Sequence, residues 1–441
     1  MGRRARGARA AGRCAAGGGS ERCQPRGLAC AGGGARRGRG GWRWGGGGGG
    51  LVISYVIPTR DRHEQLAITL DRIAALGDHA TVGGAEVIVV DDGSRRPVRA
   101  AARLESGVAV RVLRLEVSVG AAARNAGAAA ADQRSEWLVM LDDDSHPLGQ
   151  GLLRAIGEAP HGAGAIAAEV FLGEPAVSGP GAGRWSPHEA GGLPEVFVGC
   201  GVAIRREVFQ GLGGYDARFH YYVEEYDLAA RMLLGGWRVH TDRRFRVVHR
   251  KVRTNRDFSR IVARLVRNNA WVMARYAPRW ELAGWLAHTL ARYGVIAARE
   301  RALRGYARGV LGLVGTLWAQ PRRAMPRHLW ERFTGLAHAR DALLAHAARA
   351  PLGRVAVVGR GKNAGLVARA VRQAGGRLVS DPSRADTVVI GTLSPGPMLD
   401  GLRAHAGRAS RVIVPWLGLG EQGWDDQAAA QSAGERAVVA A

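Results

Sequence analysis

The chain has 441 residues, enough for two or three domains, and its 46% apolar content can fill a sizeable core, which excludes a wholly disordered or fibrous protein. The net charge of +25 is uneven: residues 1–50 carry about +10 and residues 243–350 about +18, leaving the rest close to neutral. A basic block following a neutral one suggests an anionic surface, membrane or nucleic acid, beside the chemistry. Nearly all of the positive charge is arginine, with Lys251 and Lys362 the only lysines; alongside abundant Ala and Gly this looks like GC-rich coding, so the choice of Arg over Lys carries no argument. Cys14, Cys23 and Cys30 fall in the first fifty residues and leave Cys200 alone in the folded part, which excludes a disulfide framework there and fits a reducing cytosol.

Residues 1–50 are Arg and Gly with little to bury, and are expected to be disordered, either as a binding arm or as a dispensable extension. They contain no apolar core of a secretory signal. Leu51–Pro58 then reads as a strand, followed by an amphipathic helix with Leu66, Leu70, Ile73 and Leu76 on one face. Glu86–Val90 is a second strand, buried on both faces, that runs into Asp91-Asp92-Gly93-Ser94. Val108–Leu115 is a third strand and Ala121–Ala131 a helix carrying Arg124 and Asn125. Trp137–Leu141 is a further buried strand that delivers Asp142, Asp143 and Asp144 to its end. Strand–helix alternation of this kind predicts an α/β domain with a parallel, doubly wound sheet. Two strands ending in acids on the same edge form a constellation, because ligands of open α/β sheets bind at that edge. An acid triplet there is costly unless something positive sits beside it, and a divalent metal is the obvious partner.

Eight stretches carry a resemblance. They are Ile57–Arg62, Val89–Ser94, Arg124–Gly127, Leu141–Asp144, Gly199–Arg206, Gly213–Asp216, Glu224–Arg231 and Val248-His249, each weak alone but together in order over nearly half the chain. Residues 51–250 thus resemble an inverting family 2 glycosyltransferase of bacterial cell-envelope or polysaccharide type. The resemblance implies the GT-A fold, a Rossmann-like mixed sheet. It also implies transfer of a hexose or deoxyhexose from a UDP-, dTDP- or GDP-sugar to a glycan or lipid-linked hydroxyl, with Mn2+ or Mg2+ as cofactor. A cation held by few carboxylates neutralises a pyrophosphate and stabilises its departure.

On that resemblance Asp144 is the metal ligand, Asp142 binds ribose or metal, and His249 is a further ligand. Pro58, Thr59, Arg60, Asp91 and Asp92 hold the base and ribose, Asp143 belongs to the donor side, and Arg124 and Asn125 touch phosphate or base. Arg250 and Lys251 are candidates for phosphate contact. Inverting transfer needs one carboxylate to take the acceptor proton. By matching, that base is Glu225, beside Glu224 at a helix start; relatives usually have Asp here. Asp227 and Arg231 would support the acceptor wall, and Gly199 and Gly201 would line the acceptor side. The Gly- and Pro-rich stretch Gly173–Pro194 is a candidate lid.

Residues 257–350 read as basic helices rich in aromatics, among them Trp271, Tyr276, Trp280, Trp285, Tyr293, Tyr306, Trp318 and Trp330. No apolar run reaches the ~20 residues that span a bilayer, so these helices are expected to lie in a lipid interface, with packing on the catalytic domain as the alternative. No motif supports specific nucleic-acid reading. This places the protein in the cytoplasm, peripheral on the inner face of the plasma membrane. Residues 351–420 resemble a small Rossmann-like unit, with Gly359, Gly361 and Gly365 in a turn and Asp381 where a ribose-binding acid would fall. The third glycine is one place late for the dinucleotide fingerprint, which favours an interaction domain. Residues 421–441 read as a disordered tail. Two function classes remain in view: the metal-dependent transferase, and a non-catalytic GT-A-like binding protein attached to membrane through its arginine-rich helices.

Overall fold

The computed structural model describes residues 52–76, 79, 84–173, 194–250, 257–359, 363–393, 395–405 and 411–416. The Arg/Gly-rich segment, residues 174–193 of the candidate lid, Lys251, the turn at 360–362 and the tail expected at 421–441 lie outside them.

In chain order the first elements are β1 (Val52–Thr59), α1 (His63–Ala74), β2 (Ala85–Asp92), β3 (Ala109–Leu115), α2 (Ala123–Ala130), β4 (Ser135–Leu141) and β5 (Ser145–Leu148). They continue with α3 (Gly151–Gly157), β6 (Ala163–Leu172), β7 (Gly201–Arg205), α4 (Arg206–Gly211), α5 (Glu224–Leu234) and β8 (Arg238–His249). Among the described residues these strands form one eight-stranded sheet, ordered β3-β2-β1-β4-β7-β6-β8-β5. The β3-β2-β1-β4 half is parallel, as the alternation predicts. Beyond it β7 runs antiparallel to both β4 and β6, and β5 antiparallel to β8, so the sheet is mixed rather than parallel throughout. The regular alternation stops at β4, which turns directly through Asp142–Asp144 into the short strand β5.

Strand residues alternate between two cores. Val56, Ile88, Val90, Leu138 and Met140 face α2 and α5, while Tyr55, Ile57, Val87, Val89, Val139 and Leu141 face α1 and α3. Near-continuous apolar runs are what a sheet covered on both faces requires. This is a mixed α/β fold, with the ends of its parallel strands gathered on one edge.

The helical block comprises α6 (Phe258–Tyr276), α7 (Arg279–Arg299), α8 (Leu303–Leu311), α9 (Arg327–Thr334) and α10 (Leu336–Arg349). Its aromatics are divided, against the expectation of a common lipid-facing side. Trp271, Tyr276 and Trp330 join the core of the α5 face, and Tyr293 is buried between α6 and α7. Only part of the set, Trp280 and Trp318, is strongly exposed. The apolar stripes of α6 and α9 complete the cover over α5, which removes them from any membrane.

The remaining elements are β9 (Arg354–Val358), α11 (Ala364–Gln373), β10 (Arg377–Leu378), β11 (Thr387–Ile390), α12 (Pro395–His405) and β12 (Val412–Ile413). They make a second, parallel sheet ordered β10-β9-β11-β12, in keeping with a small Rossmann-like unit. Asp381 is exposed and caps a one-turn 3-10 helix, accepting from Ser383 N at 2.9 Å and Ser383 Oγ at 2.7 Å. A turn-capping role, rather than a ribose contact, accounts for it.

Candidate active site

The acid triplet leaves β4 in a tight turn. Asp142 N donates to Ser145 Oγ at 2.8 Å, and Ser145 Oγ donates to the Cys200 carbonyl at 2.9 Å. Ser145 is then paired with His249 across the antiparallel β5–β8 ladder, which brings the last residue of β8 beside the triplet although a hundred residues intervene. His249 Nε2 lies 3.3 Å from Asp144 Oδ1.

Among the described residues, two arginines bond the carboxylates of the triplet. Arg62, at the start of α1, reaches Asp143 Oδ1 at 2.8 Å and Asp144 Oδ2 at 2.6 Å. Arg124, buried in α2, bonds Asp142 Oδ1 and reaches the carbonyls of Leu141 at 3.2 Å and Gly199 at 3.3 Å. The imidazole and Arg62 hold the Asp144 carboxyl well below the usual carboxylate range, against the effect of burial. Burial pushes Asp143 up to about 7, although Arg62 and Thr59 Oγ1, which donates to it at 2.8 Å, oppose the rise. Arg62 is one residue missing from the expected site; its place before α1, three residues after the end of β1, is the available signal.

Several expected donor contacts are turned to other uses. Asp91 is fully buried and accepts from Ser94 N at 2.9 Å, Val98 N at 3.1 Å and Arg114 at 2.7 Å. Asp92 accepts from Ser118 Oγ at 2.6 Å, Val119 N at 2.7 Å and Gly120 N at 3.1 Å, tying the end of β2 to the entry of α2. Asn125 bonds both ways with the Tyr215 backbone, at 2.8 and 2.9 Å, and so positions the Gly213–Asp216 turn instead of pointing at a phosphate. The Arg250 guanidinium is likewise internal: it donates to the carbonyls of Gln65 and Asp143 and to Thr69 Oγ1, stitching α1 to the triplet rather than facing a ligand. Gly127 explains the rest of its motif, since a Cβ there would come within 2.4 Å of Val56 Cγ1 and push α2 off the sheet. Pro58 and Thr59 are buried at the end of β1 and Arg60 is exposed just beyond.

Facing this edge is the start of α5. Glu224 is buried, and its Oε2 has no hydrogen-bond partner among the described residues. Glu225 accepts from the Gly199 backbone N–H, and a side chain at Gly199 would sit 3.1 Å from its Oε1. Burial raises both carboxyls above the ordinary glutamate value, and each also feels the negative charge of Asp142 and the compensating charge of Arg124. The chain pays for this placement in backbone strain: His220, Tyr222 and Val223, just before the pair, have φ of 63°, 71° and 74°. A β-branched residue in that region is unusual, and such outliers collect at functional sites. The Asn268 side-chain amide, from α6, holds the strained loop by donating to the carbonyls of Phe219, Tyr221 and Tyr222 at 3.1, 3.0 and 2.7 Å.

Asp227 and Arg231 sit behind the Glu pair, not in an acceptor wall. Asp227 has no exposed surface; it is bonded by Arg231 at 2.9 Å, Arg275 at 2.7 Å and Tyr276 Oη at 2.6 Å. Arg231 also donates to the carbonyls of Leu212 and Gly214, at 2.6 and 2.7 Å. Gly201 begins β7 opposite Leu141, and Gly199 lies between Arg124 and Glu225, so this glycine segment does line the junction of the two halves.

The donor set suits a divalent ion. Asp142, Cys200 and His249 each bring a ligand atom within 4.8 Å of the other two, with Asp144 beside the imidazole. Cys200 is given no role of its own by the sequence, although it stands between Gly199 and Gly201 in the Gly199–Arg206 stretch.

Residues 54–180, which include the parallel half of the sheet and the acid triplet, match the family model described as Glycosyl transferase family 2. No curated protein sequence matches the chain. Among solved structures it is similar to GalNAc-T7 with UDP, GalNAc and Mn2+, at 18% identity and TM-score 0.43, covering 62% of this chain and 59% of that one. It is also similar to the mannosyltransferase PcManGT from Pyrobaculum calidifontis in complex with GDP-Man and Mn2+, at 17% identity and TM-score 0.38, covering 73% and 85%. A third is S. aureus TarS 1-349 in complex with UDP-GlcNAc, at 15% identity and TM-score 0.42, covering 74% and 93%. The chain thus spans 59% of the length of the GalNAc-T7 chain.

Proposed function

We propose that this protein is a metal-dependent, inverting glycosyltransferase that moves a hexose or deoxyhexose from a UDP-, dTDP- or GDP-sugar to a hydroxyl of a glycan or lipid-linked acceptor in cell-envelope or polysaccharide synthesis. The single observation that carries the reading is the pair of buried Glu224 and half-buried Glu225, both with pKa values raised by desolvation, set opposite the Asp142–Asp144 strand end across Gly199 and Arg124. Glu225 is the general base. A carboxylate whose burial makes it more basic than an exposed one is suited to take the proton of an attacking hydroxyl. The acceptor oxygen forms its bond to the anomeric carbon as the bond to the nucleoside diphosphate breaks, with the electron pair leaving on the diphosphate and the proton going to Glu225. Asp142, Asp144 and His249 are the residues that would hold Mn2+ or Mg2+, whose charge would stabilise the leaving diphosphate. Thr59, Arg60 and Asp92, at the ends of β1 and β2, border the nucleoside side.

Changing Glu225→Gln should lower kcat by about 10²–10⁴-fold, while donor affinity measured by calorimetry stays within a few-fold. Retained turnover would remove Glu225 as base. A binding-only role is favoured by one observation, the neutralisation of the triplet by Arg62 and Arg124; turnover of any sugar nucleotide in a donor panel would exclude it.

The second half of the proposal is peripheral attachment to the inner face of the plasma membrane. Among the described residues no helix is long and apolar enough to cross a membrane. Leu303, Leu311, Val314 and Trp318 are well exposed on and after α8, interleaved with exposed Arg301, Arg304 and Arg308. Apolar side chains among arginines suit an anionic lipid interface. The full-length protein should sediment with phosphatidylglycerol vesicles and less so as Leu311→Ser/Trp318→Ser; protein left entirely in the supernatant would defeat this half.

A further inference from the structure

We propose that the cleft among α5, α6, α7 and α9 is an acceptor subsite, and that it takes a hydrocarbon chain carrying an anionic group such as a phosphate, with Arg292 paired to the anion. The inference rests on the reading of Glu225 as the base. It decides between the two acceptor classes left open above, in favour of a lipid-linked one.

Three observations carry it. The first is where the cleft lies. Met273 of α6, Trp285 and Tyr293 of α7 and Phe333 of α9 wall about 470 Å³ of space that opens to solvent on one side. Tyr226, which follows Glu225 in the first turn of α5, forms a further wall. A molecule in the cleft is therefore one residue along the helix from the base.

The second is that polar atoms of the lining are already engaged within the protein. The Asn269 amide donates to the Leu265 carbonyl at 2.9 Å and to Tyr293 Oη at 3.0 Å. Thr334 Oγ1 donates to the Trp330 carbonyl at 2.8 Å, and the Trp285 indole N–H to Glu281 at 3.0 Å. What remains for a ligand is mainly ring and aliphatic surface. A sugar carries hydroxyls around its whole rim, and burying them with few partners is costly. A hydrocarbon chain carries no such cost and gains from leaving water.

The third is Arg292 itself. It is half-buried in the lining and makes no ion pair or hydrogen bond among the described residues; its guanidinium carbon sits 5.5 Å from the centre of the Tyr293 ring. Burial pushes the Tyr226 phenol up, and the Arg292 charge opposes the rise, which puts the cation at the end of the cleft that Tyr226 closes. An arginine without an acid is matched by a phosphate, which it holds through paired, charge-assisted hydrogen bonds. Apolar walls with one convergent charge are the usual make-up of a small-molecule site. With the chain along the walls and the anion on Arg292, the reacting hydroxyl beyond the anion is carried toward Glu225.

The test uses the full chain, detergent-free calorimetry and n-decyl phosphate below its micellar concentration as the probe. Binding should saturate at one equivalent, with inorganic phosphate and decanol each weaker by about tenfold or more, because each offers only half of the recognition. Met273→Trp, which fills the cleft, and Arg292→Gln, which removes the charge, should each lower the affinity by about tenfold or more while the circular dichroism stays that of the parent. Absence of saturable binding, decanol binding as tightly as decyl phosphate, or parental affinity in both variants would overturn the proposal; sugar-nucleotide turnover on the same samples would leave the transferase reading standing. Decyl phosphate binding as expected with no turnover of any sugar nucleotide would reject the transferase reading, and with it the cleft's role as an acceptor site. Should Met273→Trp fail to fold, photolabelling of the parent with a diazirine-bearing decyl phosphate decides. Adducts on the cleft faces of α6, α7 or α9 support the subsite, and adducts confined to α8 reject it.

Discussion

Two groups of buried carboxylates flank the first turns of α5, and they are finished differently. Asp227 is closed off entirely: Arg231, Arg275 and Tyr276 bond it, and Arg275 also reaches Asp216 at 2.9 Å. Three residues earlier, Glu224 keeps an oxygen without a partner among the described residues, and Glu225 accepts from backbone N–H groups, its own and that of Gly199. Carboxylates on the same helix are thus sealed in one place and left incompletely bonded in the other. A native fold satisfies its buried polar groups unless something else needs them, so the incomplete cluster supports the proposed placing of the base.

The largest effect should come from breaking the complete cluster. Asp227→Ala removes the carboxylate shared by Arg231, Arg275 and Tyr276 and leaves buried Arg275 with Asp216 as its remaining acidic partner among the described residues. It should cost about 3–5 kcal/mol, read as a large fall in melting temperature, because breaking a buried charge pair is expensive. A melting temperature close to the parent would mean that the cluster is not the structural half of the pair. Next, Asn268→Ala removes the amide that holds three carbonyls of the strained loop before Glu224. It should cost about 1–3 kcal/mol in stability. It should also lower kcat more than it raises KM, because the loop presents the base; an unchanged kcat would show that the strained turn has no part in catalysis.

The smallest effect concerns Glu224 and has the opposite sign. Its folded pKa is raised above the ordinary 4.5, so the stability linked to it is present at low pH and lost as pH rises through the folded value. Glu224→Gln removes that loss. The variant should match the parent near pH 4 and melt higher at pH 7–8, by about 0.5–2 kcal/mol in stability. An equal melting profile across that range would place Glu224 in water rather than in the protein.

Much of the donor edge was legible in the residue order. Apolar runs ending in Asp91-Asp92 and Asp142–Asp144 placed two strand ends on one edge, since parallel strands buried on both faces must be continuous and apolar. Glu224 and Glu225 were legible as a helix start. Less legible was what surrounds each acid. Asp91, Asp92, Asn125, Asp227 and Arg231 keep their motif positions yet point to Arg114, Ser118, Tyr215, Arg275 and the Leu212–Gly214 carbonyls. Those partners lie on other elements, and no local pattern announces them.

The aromatics of the helical block make the same point. Periodicity shows that α6 has an apolar side; whether lipid or protein covers that side depends on the neighbouring surface left bare, here the outer side of α5. By itself the sequence determined the four parallel strands β1 to β4 and where two of them end in acid, because these are one-dimensional consequences of burial and spacing. Only the tertiary structure decided that Arg62 and Arg124 balance the triplet, that Cys200 meets His249, and which carboxylates are sealed, because each of these depends on side chains from distant segments meeting at a few ångströms.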